Sequence, residues 1–140
     1  MRIARDLLDK VLAHARAGYP YEVCGVLLGS PASSRVEQVV PVANRETESP
    51  AVRYQIAPED QLRIQRDGLA RGQEVLGYYH SHPDHPARPS ETDRRIAAEG
   101  LSDGVIHVVV GVANGDGAKA TAWVFRDASQ SFEEEALQVE

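Results

Sequence analysis

The chain has 140 residues, 42% hydrophobic and 26% charged, with 15 Lys and Arg against 21 Asp and Glu for a net charge of −6. That length fits one domain around one core, and mild acidity without a basic cluster gives no footing for nucleic-acid binding. A single cysteine, Cys24, excludes an internal disulfide and fits a reducing cytoplasm; Met1 to Asp6 lacks the apolar stretch of a signal peptide, and no apolar run approaches the ~20 residues of a membrane span.

Leu7, Leu8, Val11, Leu12 and Ala15 recur at helical spacing, which predicts an amphipathic helix over Ala4 to Ala17, ended by Gly18 and Pro20. Tyr21 to Leu28 reads as a buried strand, although it opens on the charged Glu22. Gly25 and Gly29 in this stretch point to close approach of another backbone or to a bend. A turn over Gly29 to Ser34 leads to a second strand, Arg35 to Ala43, patterned on Val36, Val39, Val40 and Val42. Asn44 to Val52 is a polar loop, and Tyr54 to Ile56 reads as a short strand. A helix opens at Ala57 or Pro58, since proline suits a first turn, and runs to about Gly72 with Leu62, Ile64 and Leu69 apolar. Val75 to His82 is a strand stopped by Pro83. Ser90 to Ala98 is a short helix, and Val105 to Val112 a β-branched central strand. Asn114-Gly115-Asp116-Gly117 marks a hairpin turn, after which Ala118 to Asp127 pairs back with Thr121, Trp123 and Phe125 on one face. Phe132 to Val139 is a closing strand or an acidic tail. With no repeat and no linker, strands and helices form one α/β unit.

The chemistry concentrates in Gly77-Tyr78-Tyr79-His80-Ser81-His82-Pro83 and Ser90-Glu91-Thr92-Asp93. Residues i and i+2 of a strand face the same way, so His80 and His82, about 7 Å apart at Cα, can converge on one ion. Asp93 returns after the loop Pro83 to Pro89 to supply a third ligand. Three protein ligands with a fourth position left to water is the usual provision of a catalytic zinc. Ser90-x-x-Asp93 is also a helix-start signal of the capping-box kind, and a helix start would hold both side chains rigidly. No Glu adjoins the histidines, so the base comes from elsewhere; Glu22 is the best candidate, against the plainer reading of an exposed carboxylate at a strand start.

Taken together, Glu22 with Cys24-Gly25-x-Leu27-Leu28-Gly29, then Gly77-Tyr78-x-His80-Ser81-His82-Pro83, Pro89-Ser90 and Asp93, resembles the JAMM (MPN+) metalloprotease family. The resemblance runs from about Glu22 to the last strand. It implies a cytidine-deaminase-like/JAMM α/β fold, a mixed curved β-sheet flanked by helices. It implies one Zn²⁺ held by His80, His82 and Asp93, Glu22 as general acid/base, and Ser90 as the donor to the oxyanion. It also implies a substrate: the bond after the C-terminal Gly-Gly of a ubiquitin-like or sulfur-carrier protein. The chain is too short for the insertions with which eukaryotic members grip ubiquitin chains, so it looks like the small prokaryotic branch. Whether the leaving amine belongs to cysteine or to a lysine side chain stays open.

Two other readings compete. One is an MPN-type protein-binding module without hydrolysis, which would want a closed four-ligand site. The other is a Cys24 nucleophile, although Cys24 sits in an apolar run and reads as a small core residue. His85 reads as a solvated loop residue, His107 as a core or face residue and His14 as exposed. Arg88 either steers a carboxylate or solubilises its loop, and Trp123 and Tyr54 read as packing residues.

Overall fold

The computed structural model describes residues 1–100, 102–114 and 116–140. Its elements are β1 (Arg2–Ile3), α1 (Arg5–Gly18), β2 (Cys24–Ser30), β3 (Arg35–Val42), α2 (Pro58–Ala70), β4 (Glu74–Pro83), α3 (Glu91–Glu99), β5 (Ile106–Ala113), β6 (Asp116–Arg126), β7 (Ser131–Glu135) and β8 (Gln138–Val139). The strands form one mixed sheet in the order β7-β6-β5-β4-β2-β3-β1-β8. Its two edge strands, β7 and β8, are separated in the chain by only Ala136 and Leu137, so the sheet curls until its edges nearly meet. This is the mixed, curved α/β sheet expected from the sequence.

Strand alternation sorts side chains between two faces. On one face α1 buries Leu8, Val11 and Ala15 against Leu27, Val36, Tyr79, Val108 and Val110. On the other, Ile64 of α2 packs with Val26, Leu28 and Val42. β2 is thus covered on both sides, which is why it reads as an unbroken apolar run rather than an alternating one. In β4, Tyr79 points into the α1 core, and the i, i+2 neighbours Tyr78, His80 and His82 take the opposite face. Gly25 lies opposite Tyr79, and a Cβ there would stand 2.1 Å from its ring. The close approach expected at Gly25 is therefore by an aromatic side chain.

Several boundaries differ from expectation. β2 starts at Cys24, three residues late, because the preceding backbone is engaged by loops: Glu22 N–H donates to Pro50 O at 2.7 Å, and the Asn44 side chain donates to Glu22 O at 3.0 Å. Tyr54 to Ile56 forms no strand; Gln55 satisfies its backbone locally, with Asn44 Oδ1 and Arg45 N–H each 2.8–3.0 Å away. Phe132 to Val139 divides into β7 and β8, which pair at opposite edges of the sheet. β1 is two residues long and carries no periodic signal. Of the expected turn Asn114-Gly115-Asp116-Gly117, Gly115 lies outside the described residues. His14 is half-buried rather than exposed, its Nδ1 2.7 Å from Tyr79 Oη. Among the described residues no helix is long and apolar enough to cross a membrane.

Candidate metal centre and active site

The C-terminal end of β4 brings His80 and His82 together on one face, both buried. Their Nε2 atoms are 3.0 Å apart, and Asp93 Oδ2 lies 3.1 Å from the first and 3.0 Å from the second. Asp93 reaches them from the first turn of α3. There Ser90 Oγ accepts from Asp93 N–H at 3.1 Å and Ser90 N–H donates to Asp93 Oδ2 at 2.9 Å, a complete capping box. The capping and ligand readings of Ser90-x-x-Asp93 are thus compatible. Ser90 keeps its own hydroxyl hydrogen available, since the oxygen is the acceptor in the cap.

The donor set is poorly satisfied without a cation. His82 Nδ1 is 3.1 Å from Pro86 O, and a carbonyl only accepts, so Nδ1 carries the hydrogen. Neutral His82 then presents a bare Nε2 lone pair to a carboxylate oxygen at 3.0 Å, which repels unless a positive charge lies there. Ligands about 2.0–2.1 Å from one tetrahedral zinc are roughly 3.3 Å apart, close to the separations seen here. The residues fit such an ion. Burial alone would raise the Asp93 carboxyl, yet the contacts with both histidines overcome it and hold the group well below the usual carboxylate range. Burial lowers His80; at His82 burial also pulls down, but Asp93, Pro86 O and Glu22 together outweigh it and raise the imidazole.

Glu22 stands beside this cluster, just ahead of β2. It is buried rather than exposed, one ligand atom from each of Glu22, His80 and His82 lies within 4.8 Å of the others, and Oε1 has no hydrogen-bond partner. Burial, only partly offset by His82, pushes its carboxyl up to about 8. A cleft of about 240 Å³ opens in front, lined by Glu22, His82, Ser90 and Thr92 together with Val52 and Arg88. All five expected site residues therefore meet at one place.

Some contributors carried no sequence signal. Tyr54 stacks on the His80 imidazole with centroids 4.6 Å apart and planes at 21°, fixing the ring's tilt. Pro86 acts through its carbonyl, which no residue type announces. His85 is exposed in the loop and lines the cleft. His107 is half-buried between Tyr78 and Phe132, and burial lowers it to about 4, in keeping with its reading as a face residue. Cys24 is fully buried, its thiol 3.6 Å from Val42 O and pushed by burial up to about 12, which excludes it as a nucleophile.

A family model described as prokaryotic homologs of the JAB domain matches residues 4–126. The chain is 39% identical over 102 residues to a desampylase of Haloferax volcanii, an alignment that covers 70% of this chain and 73% of that one. It is 38% identical over 97 residues to the CysO-cysteine peptidase of Mycobacterium tuberculosis, covering 69% of this chain and 65% of the peptidase. A JAB1/MPN domain protein from Archaeoglobus fulgidus superimposes with a TM-score of 0.63 at 23% identity, over 99% of this chain and 98% of that one, a likeness of fold.

Proposed function

From the premise that the chain belongs to the prokaryotic JAMM/MPN+ family, we propose that it is a zinc-dependent hydrolase that cuts the bond after the C-terminal Gly-Gly of a ubiquitin-like or sulfur-carrier protein. The observation that carries this reading is the meeting of His80 Nε2, His82 Nε2 and Asp93 Oδ2 beside an unpartnered, buried Glu22 carboxylate. His80, His82 and Asp93 would hold one Zn²⁺. Bound there, zinc supplies Lewis acidity and brings the pKa of a water toward about 7.

The chain's own groups do the rest. Glu22 takes a proton from the attacking water as the new C–O bond forms at the glycine carbonyl. Ser90 Oγ–H donates to the oxygen on which charge develops. Glu22 then returns the proton to the amine as the C–N bond breaks, giving a glycine carboxylate and a free amine. Pro86 O keeps His82 in the tautomer that leaves Nε2 bare, and Tyr54 keeps the His80 ring in place. Desampylase and CysO-cysteine peptidase point to the substrate class.

The test is a panel of diglycine-tailed carrier fusions, with zinc content measured alongside hydrolysis. Wild type is expected to hold about one zinc per chain and to cut at least one fusion, and His82→Ala to lose both metal and activity. Glu22→Ala should keep zinc yet lose turnover, and Ser90→Ala should slow by roughly 10²–10³. Stoichiometric zinc with no fusion cut would favour the binding module.

A further inference from the structure

We propose that Arg88 binds the carboxylate of the leaving amino acid, so that the enzyme trims a residue with a free C-terminus from a diglycine tail in preference to releasing a lysine side chain. The inference rests on the hydrolase reading above and names the leaving group that reading left open.

Glu22 gives its proton to the departing amine, so whatever that amine carries must lie in the cleft that Glu22 lines. That cleft is lined by Arg88 as well. The neighbouring hollow, bordered by His80 and Asp93, is different: Tyr54, Ile56, Tyr78, Ile96 and His107 make it largely aromatic and aliphatic. Glu22 is the sole carboxylate and Arg88 the sole arginine or lysine among the residues of the Glu22 cleft. A carboxylate entering it therefore meets one permanent positive charge and no competing exposed acid.

Arg88 is also held for this task. Its backbone N–H donates at 2.8 Å to Pro86 O, the carbonyl that fixes His82, so the Arg88 backbone is tied through one atom to the ligand set. Its guanidinium has no hydrogen bond or ion pair among the described residues, whereas the nearby Arg94 is spent on Glu91 at 2.7 Å. A planar guanidinium takes a carboxylate through two parallel N–H···O bonds, a geometry that discriminates against a carboxamide. At about 240 Å³ the cleft is below the usual range of ligand pockets, about 300–1,000 Å³, and suits one small residue rather than a folded partner. A lysine side chain of a target protein brings no carboxylate next to the scissile bond.

The probes are a diglycine-tailed β-grasp carrier extended by one alanine, as the free acid and as the C-terminal amide, and the same carrier joined to the lysine side chain of a peptide blocked at both ends. With zinc-loaded wild type, kcat/KM for the acid should exceed that for the amide and the isopeptide by about fivefold to tenfold, the range for a charge-assisted pair discounted for exposure. Arg88→Gln should erase that preference by slowing the acid alone, and Arg88→Lys should keep part of it. Binding gives an independent readout. On the uncleaving Glu22→Gln protein the acid should bind more tightly than the amide, and the added Arg88→Gln change should equalise them. Equal binding of acid and amide, or an Arg88→Gln variant that weakens both alike, overturns the role of Arg88. Failure of wild type to cut any probe, with the acid still preferred in binding, overturns the hydrolase reading and leaves carboxylate recognition standing.

Discussion

Glu22 is the residue in which sequence, burial and chemistry conflict most openly. A carboxyl with an unpartnered oxygen in a buried position favours its neutral form, which is why the group is pushed up to about 8 in the metal-free protein. In the unfolded chain it titrates near 4.5. Between these values the folded state binds a proton that the unfolded state does not, so this group makes stability fall as pH rises from about 4.5 to 8. Glu22→Gln removes the titration. In chelator, wild type should match the variant at and below about pH 4.5 and fall below it by on the order of 4 kcal/mol at pH 8, read by urea denaturation. A gap that stays constant across that window would contradict the burial argument. The oddity of Glu22 was legible, because a charge at the mouth of an apolar strand breaks the pattern. The histidine pair and Asp93 were legible through spacing. Tyr54 and Pro86 were not, since one works by stacking across the fold and the other through a backbone carbonyl. His14 departs from expectation for a related reason: it lies three residues beyond Val11, on the apolar face of α1, where its Nδ1 meets the Tyr79 hydroxyl.

The loop between β4 and α3 sets the distance between the histidines and Asp93, and it is pinned from three sides. Asp84 N–H donates to Val112 O at 2.6 Å, Tyr19 Oη–H donates to Asp84 Oδ2 at 2.7 Å, and Thr121 Oγ–H donates to Ala87 O. Gly111 of β5 lets the loop lie flat on the sheet; a Cβ there would stand 3.0 Å from Ala87 N and 3.1 Å from His85 O. Gly111→Ala would push this backbone by a few tenths of an ångström and carry Pro86 O with it. The expected result is about a tenfold loss of zinc affinity in a chelator competition, the low end for a disturbed outer partner of a ligand, with the urea midpoint of the metal-free protein little changed. Unaltered affinity would mean that the loop does not set the ligand geometry. Strands β2 to β6 and all three helices were legible from apolar periodicity and turn residues, within a few residues at their ends. Gly111 was read only as one more residue of a β-branched run, because glycine's role there depends on a loop that crosses it from elsewhere.

The curl of the sheet is decided at the scale of the whole chain. β1 pairs parallel with both β3 and β8, and Glu140 N–H donates to Ile3 O at 2.9 Å, so the last residues close the sheet beside the first. Strands of two residues have no period to read, and their pairing spans nearly the full sequence, which is why β1 was not legible and β8 only as the end of one closing strand or tail. Non-local parallel pairing of this kind forms late and slowly. Closure is then held less by the two-residue ladders than by the side chains at this seam that enter the core: Ile3 of β1, buried, and Leu137, just ahead of β8 and half-buried against the cluster under α1. Leu137→Ala should cost about 1–2 kcal/mol in urea denaturation, the share of a leucine deletion that partial burial leaves. Val139→Ala, at a side chain 39% exposed, should cost within about 0.5 kcal/mol. None of residues 136–140 lines the cleft, so both variants should keep wild-type zinc affinity. A loss of metal that tracked the loss of stability in Leu137→Ala would instead couple closure of the sheet to the ligand set, through β3 and β2, the strands that lie between β1 and β4.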